Sequence, residues 1–420
     1  MKILVTGSAG FLGRNLVENL KNIRDGKNKT RPDIQIEEIY EYGKESTQED
    51  LNRYCKDCDF VFNLAGVNRP QDPKEFREGN FGFASTLLST LKKHDNKCPV
   101  MLSSSIQATL AGRFGNSEYG RSKKDGEELF FNYAKSSGAA VLIYRFPNLA
   151  GKWVRPNYNS VIGTFCNAVA NDLPYTVNDR TTILEILFID DLINEMYDAL
   201  EGHPHRCDYP AEGMPSLDPT TQWDGTTPEP KDDGHYCYAP ITYKVSLGTI
   251  IDYLVMFKQL NSTLTIPEIP AGSFAYKLYS MYLSYLPKEK MSYPLYMNVD
   301  ERGVFTELFK TANNGQVSIN IARPGSVRGQ HWHNTKCEIF VVVSGHGLIQ
   351  ERRVGINPET GKKYDIREFE VYGEEMRAIF MLPGYSHNII NLEKDKDLIT
   401  VMWANEAFDV KHPDTFRDNV

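Results

Sequence analysis

Short apolar runs alternate with amphipathic stretches over the first 200 residues of the chain. The apolar runs predict buried strands, and stretches with apolar residues three or four positions apart predict helices between them. The predicted strands are Ile3–Val5, Phe60–Leu64, Val100–Leu102 and Val141–Tyr144, and the clearest predicted helices are Leu12–Leu20 and Phe81–Leu91. This alternation predicts an α/β domain in which a parallel sheet is covered by helices on both faces.

The pattern changes after residue 200. Residues 202–237 hold six of the 22 Pro (at positions 204, 210, 215, 219, 228 and 230) and few aliphatic residues. Such a composition predicts a surface excursion from the fold. Helical patterns return at 245–260 and 273–286, so we assign residues 1–286 to the first domain and residues 287–296, which contain Pro287 and Pro294, to a linker.

From residue 297 onward, short β-type runs are separated by Gly and Pro turns. The predicted strands include Val317–Ile321, Ile339–Val343, Ile379–Leu382 and Leu398–Trp403. Runs of this length and spacing predict an all-β sandwich or barrel. We therefore expect a second domain at residues 297–420.

Composition excludes several classes of protein. Of the 420 residues, 41% are hydrophobic and 24% are charged, which is typical of a globular chain. The net charge of −8 argues against nucleic acid or an anionic membrane as the main partner, and no apolar run approaches the ~18–20 residues of a membrane span. Seven scattered Cys do not form a disulfide framework, and the chain opens on a strand, so we expect a cytoplasmic protein with free thiols.

A glycine-rich run follows the first predicted strand directly. Residues 7–13 have the pattern G-x-x-G-x-x-G and open the first predicted helix. Glycine permits a tight turn and close approach of the backbone to a pyrophosphate, and the helix N-terminus offers N–H groups to that anion. The run therefore predicts a dinucleotide site whose contacts are Gly7, Gly10, Phe11, Leu12, Gly13 and Arg14.

The choice between two dinucleotides stays open at this stage. Glu41, after the second predicted strand, is placed to hold a ribose hydroxyl and so suggests NAD. Arg14 and Lys44 are placed to hold a 2′-phosphate and so suggest NADP.

Tyr119 and Lys123 lie four residues apart, on one face of a predicted helix. A nearby ammonium favours the phenolate, which allows the phenol to exchange a proton near neutral pH. The pair follows Ser103–Ser105 at the end of a predicted strand, where a hydroxyl could orient a carbonyl beside the phenol. Tyr40 and Lys44 share the spacing but fall at a strand end and loop, so we do not consider them a site.

These motifs resemble those of the extended short-chain dehydrogenase/reductase family, in its nucleotide-sugar branch, over about residues 1–260. Three further segments carry the resemblance, namely Asn63–Gly66 after a strand, Arg145–Asn148 and Phe188–Asp191. The resemblance implies a doubly wound fold of the Rossmann type that binds a nicotinamide cofactor.

The same resemblance implies roles for individual residues. Tyr119 would be the acid, Lys123 would tune it and hold the cofactor ribose, and Ser105 would bind the reacting oxygen. Ser104 is the alternative to Ser105. Further contacts implied are Ala65 with the cofactor, and Asn148 and Arg180 with the nucleotide sugar.

The β-rich region contains the pattern G-x5-H-x-H-x4-E-x6-G from Gly325 to Gly345, followed by His387. His331 and His333 would project from one face of a strand. With Glu338 and His387, they would supply imidazole and carboxylate ligands that suit Zn, Fe or Mn. His203 and His205 share the His-x-His spacing but lie in the Pro-rich excursion, where we expect no site.

This spacing resembles both motifs of the cupin superfamily, over about residues 297–420, and implies a β-barrel with a divalent metal, for which we expect Zn. Residues 298–307 and Arg328–His331 are also similar to the sugar-nucleotide 3,5-epimerase cupins. That similarity implies that Arg328 grips a diphosphate and that His331 abstracts a proton beside a ketone. Because His331 is also a ligand in the metal motif, we expect a metal site and leave the base open. Cys337 is expected to be a packed core thiol.

The two halves together resemble, nearly end to end, a family of bifunctional capsular-polysaccharide enzymes in which a reductase is fused to a cupin. The resemblance implies that the cupin epimerises carbon 3 of a UDP-2-acetamido-2,6-dideoxy-4-keto-hexose. The reductase would then reduce the carbon 4 ketone with NADPH, giving UDP-2-acetamido-2,6-dideoxy-L-talose on the route to UDP-N-acetyl-L-fucosamine. We also expect a homo-oligomer, either a dimer or a tetramer.

One alternative class is kept beside this hypothesis. It is an NAD-dependent nucleotide-sugar 4-epimerase or dehydratase with a non-catalytic, sugar-binding cupin. A dehydratase would need an adjacent Asp-Glu pair near the Ser/Tyr site, and the sequence between Ser105 and Tyr119 contains none.

Overall fold

The computed structural model describes residues 1–67, 77–209, 228–313 and 315–420. They form two compact units, Met1–Leu254 with Gly272–Leu286, and Val255–Ala271 with Pro287–Val420. Residues 255–271, which the sequence division placed in the first domain, thus belong to the second unit. The physical reason is that the strand Thr265–Ile266 pairs with a strand of the β-rich region. Over the described ranges, no helix has the length and apolar character needed to cross a bilayer.

The strands of the first unit form two sheets. Their bounds are β1 (Lys2–Thr6), β2 (Glu38–Tyr42), β3 (Phe60–Asn63), β4 (Val100–Ser105), β5 (Val141–Phe146), β6 (Asn148–Ala150), β7 (Ile183–Phe188), β8 (Arg206–Asp208), β9 (Glu229–Pro230), β10 (Tyr236–Cys237) and β11 (Tyr243–Ser246). The main sheet has the order β2-β1-β3-β4-β5-β10-β8-β9, and β11-β7-β6 form the second sheet. In the main sheet, β1 to β5 and β10 are parallel, as the alternating pattern predicted.

Helices cover both faces of the main sheet. Among the described residues, the α-helices are α1 (Phe11–Arg24), α2 (Gln48–Asp57), α3 (Phe83–Lys93), α4 (Glu118–Ser137), α5 (Val161–Ala170), α6 (Ile189–Leu200), α7 (Leu247–Lys258), α8 (Leu260–Thr263) and α9 (Phe274–Leu283). One core cluster joins the sheet to α1 and α6 through residues such as Leu16 and Met196. Another joins it to α2, α3 and α4 through residues such as Leu87 and Phe130. The predicted doubly wound α/β domain is therefore confirmed.

The order of the main sheet reverses beside β1. β2 lies on one side of β1 and β3 on the other, and the chain then continues outward through β4 and β5. In open α/β sheets, ligands bind outside the carboxyl ends of the strands at such a switch point. Gly7 follows β1 and Leu64 follows β3, so both lie at this position.

The prediction that residues 202–237 form a surface excursion is partly wrong. β8 and β10 are strands of the main sheet, and the side chains of Cys207 and Cys237 are fully buried. A Cβ at Gly234 would lie 2.3 Å from the carbonyl oxygen of Cys207, so only glycine fits beside this strand. Strands of two or three residues show no periodicity, which is why the prolines dominated the pattern. Residues 210–227 of the predicted excursion lie outside the described residues.

The second unit consists of two facing sheets. Its strands are β12 (Thr265–Ile266), β13 (Met297–Asp300), β14 (Gly303–Thr311), β15 (Gln316–Ala322), β16 (Val327–Trp332), β17 (Glu338–Ser344), β18 (His346–Arg353), β19 (Ile366–Tyr372), β20 (Ala378–Met381), β21 (Tyr385–Asn391), β22 (Leu398–Ala404) and β23 (Phe416–Arg417). The larger sheet has the order β12-β14-β15-β22-β17-β20, with β13 on β14, and the smaller sheet has the order β19-β18-β21-β16-β23. Phe340 and Val342 of the larger sheet share a core with Ile349 and Ile389 of the smaller one. From residue 297 onward, the described residues contain no helix, so the predicted all-β region is confirmed.

β16 contains a β-bulge between Gly329 and His331. Gln330 has φ +63°, and Gly329 has φ +92° with no room for a Cβ, which would lie 2.8 Å from the carbonyl oxygen of His387. Across the bulge, Arg328 pairs with Ile389 and His331 pairs with His387. Cross-strand partners lie on the same face of a sheet, so Arg328 and His331 both face the core side.

Candidate functional site

The turn between β1 and α1 depends on glycine at two positions. Gly7 has φ +66°, and a Cβ there would lie 2.8 Å from the backbone nitrogen of Ala65. A Cβ at Gly13 would lie 2.2 Å from the carbonyl oxygen of Gly7. α1 begins at Phe11, after Gly10, which has no side chain to cap the N–H groups of the first turn. These N–H groups therefore face the carboxyl end of β1, which is the arrangement that binds a pyrophosphate.

Three predicted cofactor contacts on α1 lie in different environments. Leu12 is buried in the core below the turn, and Phe11 is half-buried. Arg14 is exposed, and its guanidinium carbon lies 4.7 Å from the centre of the Trp153 ring. Leu12 thus supports the turn through packing, whereas Arg14 presents a positive charge beside it.

The loop after β3 lies against this turn. Thr6 Oγ1 donates a hydrogen bond to Asn63 Oδ1 over 2.8 Å and accepts bonds from the N–H groups of Leu64 and Ala65, each over 3.2 Å. A small pocket beside the loop is lined by Asn63, Ala65, Leu102, Ser122, Lys123 and Gly126. The structure thus brings Ala65 and Lys123, two predicted cofactor contacts, to one pocket.

Glu41 and Lys44 lie at and after the end of β2 and are both exposed. Glu41 forms an ion pair with Lys21 of α1, with 2.9 Å between Oε1 and Nζ. A carboxylate engaged in this way is less available to a ribose hydroxyl. Sequence reasoning missed Lys21, because its contact with β2 depends on how α1 packs.

Tyr119 is positioned beside Ser105 by the capping of α4. Ser117 Oγ accepts a hydrogen bond from the N–H group of Gly120 over 2.9 Å and donates one to Gln107 Oε1 over 2.7 Å. Gln107 belongs to the turn that follows β4, so the start of α4 is tied to the end of that strand. The Ser105 hydroxyl lies close enough to the Tyr119 phenol to influence its ionisation. Burial raises the pKa of Tyr119, and Ser105 acts in the opposite direction.

Lys123 lies one helical turn after Tyr119 and is buried. Its Nζ donates a hydrogen bond to the carbonyl oxygen of Ser103 over 2.9 Å and lies 5.6 Å from the centre of the Tyr119 ring. Burial lowers the pKa of Lys123 to about 8, although the Glu127 carboxylate favours the charged form. The predicted group of Ser105, Tyr119 and Lys123 is therefore assembled at the carboxyl edge of the main sheet.

Ser104 lies in a buried hydrogen-bond network. Its side chain is 3% exposed, and its hydroxyl donates a hydrogen bond to the buried carboxylate of Glu127. Glu127 is also held by Arg145, with 3.0 Å from Nε to Oε1 and 2.7 Å from Nη2 to Oε2. Alternation along β4 turns the Ser104 hydroxyl into this network, which favours Ser105 over Ser104 as the contact with the reacting oxygen, and the contact of Ser104 with substrate stays a prediction.

Asn148 and Arg180 are the predicted contacts with a nucleotide sugar, and their side chains differ in solvent exposure. Asn148, in β6, is half-buried, and its Nδ2 donates a hydrogen bond to the carbonyl oxygen of Glu185 over 2.9 Å. The Arg180 side chain is 53% exposed and forms an ion pair with Asp252 over 2.7 Å. Their predicted contact with a nucleotide sugar stays a proposal.

The predicted metal ligands of the second unit converge. One ligand atom of each of His331, His333, Glu338 and His387 lies within 4.8 Å of all the others. Glu338 Oε2 is 3.5 Å from His333 Nε2 and 3.4 Å from His387 Nε2. His331 and His387 face each other across β16 and β21 of the smaller sheet, Glu338 begins β17 of the larger sheet, and His333 lies just after the end of β16. A three-imidazole, one-carboxylate set of this kind can hold Zn or another first-row divalent metal.

Two buried imidazoles direct ring nitrogens into this cluster. His333 is 2% exposed and His387 is 0% exposed, and the Nε2 atom of each is buried with no hydrogen-bond partner among the described residues. The Nδ1 atom of His333 is hydrogen-bonded to the carbonyl oxygen of Asp414, so Nδ1 carries the proton and Nε2 keeps its lone pair. Orphaned, buried Nε2 atoms that face a carboxylate fit a bound metal.

Electrostatics also favours the ligand forms of this cluster. Burial and the neighbouring imidazoles of His387 and His333 lower the pKa of His331 to about 4, so the neutral ring is present at neutral pH. Burial opposes ionisation of Glu338, but the imidazoles and Lys336 hold its pKa well below the usual range. Lys336 Nζ lies 3.0 Å from Glu338 Oε1.

Arg328 faces the same side of β16 as the cluster and is held by Asp300. Its Nη1 and Nη2 atoms each lie 3.2 Å from a carboxylate oxygen of Asp300, while its Nε is buried without a hydrogen-bond partner. Burial lowers the pKa of Arg328. A buried, incompletely satisfied guanidinium can accept an anion, as the predicted diphosphate contact requires.

Comparison with known proteins shows likeness over the whole chain. Residues 3–208 match the NAD dependent epimerase/dehydratase family, and residues 298–416 match the polysaccharide biosynthesis C-terminal domain. A Pseudomonas aeruginosa protein named UDP-2-acetamido-2,6-beta-L-arabino-hexul-4-ose reductase is 34% identical over 420 residues, which is 100% of this chain and 99% of that protein. The crystal structure of the capsular polysaccharide assembling protein CapF from Staphylococcus aureus is 40% identical, covers 100% of both chains and has a TM-score of 0.81. The chain belongs to the CapF family.

A further CapF structure contains the inhibitor 3-isopropenyl-tropolone and is 36% identical, with a TM-score of 0.76 over 100% of both chains. Membership of the CapF family confirms the end-to-end resemblance that the sequence indicated.

Two further residues discussed in the sequence analysis, His205 and Cys337, have defined surroundings in this CapF-family chain. His205 Nδ1 lies 2.6 Å from Glu195 Oε2, and that carboxylate also accepts a hydrogen bond from Tyr144 over 2.6 Å, so its oxygens are satisfied by protein groups. Cys337 is half-buried rather than packed in the core as expected, because it lies at the end of the loop before β17.

Proposed function

We propose that the protein is a bifunctional nucleotide-sugar enzyme. The second unit, a cupin, epimerises carbon 3 of a UDP-2-acetamido-2,6-dideoxy-4-keto-hexose. The first unit reduces the carbon 4 ketone with NADPH. The product is UDP-2-acetamido-2,6-dideoxy-L-talose, on the route to UDP-N-acetyl-L-fucosamine.

The observation that carries the reductase proposal is the placement of Ser105 beside Tyr119, with Lys123 one helical turn away. The full-length relative from Pseudomonas aeruginosa supports the substrate class, since its name describes a 4-ketosugar reductase. The nicotinamide, when bound, supplies the hydride. Tyr119 gives its proton to the ketone oxygen, Ser105 hydrogen-bonds to that oxygen, and Lys123 stabilises the phenolate that forms.

The epimerase proposal rests on the cluster of His331, His333, Glu338 and His387. These residues would hold a divalent metal, for which we propose Zn, and the metal would stabilise the enolate formed next to the ketone. Tropolones carry adjacent carbonyl and hydroxyl oxygens and chelate divalent metals, so the inhibitor bound by a CapF protein is consistent with such a site. Arg328 would bind the diphosphate, and the base is left open between His331 and another member of the pocket.

Cofactor choice gives a first prediction. We expect kcat/KM to be higher with NADPH than with NADH, because Lys21 engages Glu41 while Arg14 is exposed beside the glycine turn. Replacing Arg14 with Ala should lower kcat/KM for NADPH more than for NADH, since the charge that meets the 2′-phosphate is lost. A preference for NADH in the wild-type protein would show that Glu41 governs the ribose.

The neighbouring serines give a second prediction with a built-in control. Ser105→Ala should lower the rate of ketone reduction about tenfold or more, because it removes one hydrogen bond to the reacting oxygen. Ser104→Ala should leave that rate near the wild-type value but lower the free energy of unfolding by about 1–3 kcal/mol, because a buried hydrogen bond to Glu127 is lost. Rates and denaturant unfolding of both variants check this, and the reverse assignment of effects would contradict it.

The function itself is tested by incubating the full-length protein with the UDP-4-keto sugar. With NADPH, we expect the reduced sugar to carry inverted stereochemistry at carbon 3. Without NADPH, we expect deuterium from D₂O to enter carbon 3 only. Turnover of a 4-hydroxy sugar with bound NAD and no net oxidation of cofactor would instead favour the alternative, a 4-epimerase with a non-catalytic cupin.

A further inference from the structure

The segment 414–420 contacts the strands that carry the candidate metal ligands. β23 within it pairs with β16 at His331 and Trp332, and the Phe416 ring lies 4.9 Å from the Trp332 ring. This segment contains no ligand of the cluster. Its contacts nevertheless reach the surroundings of all four ligands, and Asp414 makes the most direct of them.

The backbone carbonyl of Asp414 fixes the tautomer of His333. It accepts a hydrogen bond from His333 Nδ1, and Thr415 Oγ1 lies 3.4 Å from the same nitrogen. With the proton held on Nδ1, the lone pair of Nε2 points toward the cluster. Metal-bound histidines usually have such a partner on the second ring nitrogen, and it orients the ring.

The carboxylate of Asp414 holds the loop between two ligands. Its oxygens accept hydrogen bonds from three consecutive N–H groups, those of Asn334 over 2.9 Å, Thr335 over 2.8 Å and Lys336 over 3.0 Å. This loop starts after His333 and ends two residues before Glu338. One carboxylate thus sets the path of the chain between an imidazole ligand and a carboxylate ligand.

The rest of the segment is anchored next to the fourth ligand. The Asp418 carboxylate accepts a hydrogen bond from Ser386, which precedes His387, and lies 3.2 Å from Arg352 Nη2. The carbonyl oxygen of Asn419 accepts a second bond from Arg352, over 2.6 Å. Arg352 is 3% exposed, so its contacts attach the segment to a buried side chain.

We propose that Asp414 is a positioning residue of the metal centre, acting through its carbonyl on His333 and through its carboxylate on the loop that leads to Glu338. The inference rests on the proposed function in one respect, namely that the cluster holds a divalent metal. It predicts that metal affinity depends on a residue that is not itself a ligand.

The test uses Asp414→Asn in the full-length protein, with Asp409→Asn as the matched control. Asp414→Asn keeps the carbonyl and the side-chain size but replaces one acceptor oxygen with an NH₂ group that faces N–H donors. Asp409 lies in the same region, and its side chain is 55% exposed. Zn²⁺ affinity is measured by competition with a chromophoric chelator, and the Co²⁺-loaded proteins are compared by their visible absorption spectra.

We expect Asp414→Asn to weaken Zn²⁺ binding about 10–100-fold and to change the Co²⁺ spectrum, and Asp409→Asn to do neither. A chain ending at residue 413 should lose more affinity, because the carbonyl partner of His333 is also lost. A merely structural role would lower the melting temperature of the metal-free protein while leaving the Co²⁺ spectrum unchanged. Equal Zn²⁺ affinity in the wild type and Asp414→Asn overturns this inference alone, whereas a wild type that binds no divalent metal overturns the metal centre with it.

Discussion

Tyr119→Phe should reduce NADPH-dependent ketone reduction by roughly 10²-fold or more, the usual scale for loss of a general acid. The substitution removes only the phenol oxygen, which lies beside Ser105 and close to Lys123. Single-turnover oxidation of NADPH by the wild type and the variant measures the effect. Carbon 3 exchange should continue in the variant, since it is assigned to the second unit.

Tyr40→Phe is the matched control for this experiment. Tyr40 also has a Lys four residues later, but its phenol donates a hydrogen bond to Asp57 over 2.5 Å, so Tyr40→Phe should leave ketone reduction near the wild-type rate. Rapid NADPH oxidation by Tyr119→Phe would remove Tyr119 from the mechanism.

The pH dependence of reduction is a further expected result. The wild-type rate should fall as the pH rises above about 8, because Lys123 then loses the proton whose charge stabilises the phenolate.

His387→Ala should abolish bound metal and carbon 3 exchange together. His387 is fully buried, and its Nε2 lies 3.4 Å from Glu338 Oε2, so the loss leaves three of four ligands and an open cavity. Losing one ligand from a divalent site strongly weakens it. Metal content by atomic emission and deuterium incorporation by NMR provide the two measurements.

His346→Ala provides the control for an imidazole of the same unit outside the cluster. Its ring stacks on Tyr372 and its Nε2 lies 2.7 Å from Glu370 Oε1, so metal and exchange should both be retained. If exchange persists in wild-type protein stripped of all metal, a side-chain base acts alone and the metal is structural. If His387→Ala keeps its metal, the four-ligand assignment is wrong.

The sequence predicted best those features that depend on local spacing. The glycine turn and the pair of Tyr119 and Lys123 follow from one strand, one turn and one helix, so neighbouring residues define them. Ser104 and Ser105 could not be separated in the same way. Their difference depends on Glu127 and Arg145, which come from a distant helix and strand and meet Ser104 only in the folded core.

The candidate metal ligands show the same contrast between features set by local spacing and features set by distant contacts. His331, His333 and Glu338 are close in sequence, and His387 follows a recognisable turn, so the pattern contained all four. Asp414 lies 81 residues from His333 and acts partly through its backbone carbonyl, which any residue possesses. The strands β8 and β10 were missed for a related reason, because two or three residues carry no period and their place in the main sheet is set by partners far along the chain.

The bulge at Gln330 determines which side chains of β16 lie on the same face of the sheet. In a regular strand, residues three apart point to opposite sides, so Arg328 and His331 would be separated by the sheet. The extra residue reverses the alternation of the strand, so Arg328 and His331 point to one surface despite their odd spacing. A related sequence that keeps both residue types but gains or loses one position between them would therefore place the two side chains on opposite faces of the sheet.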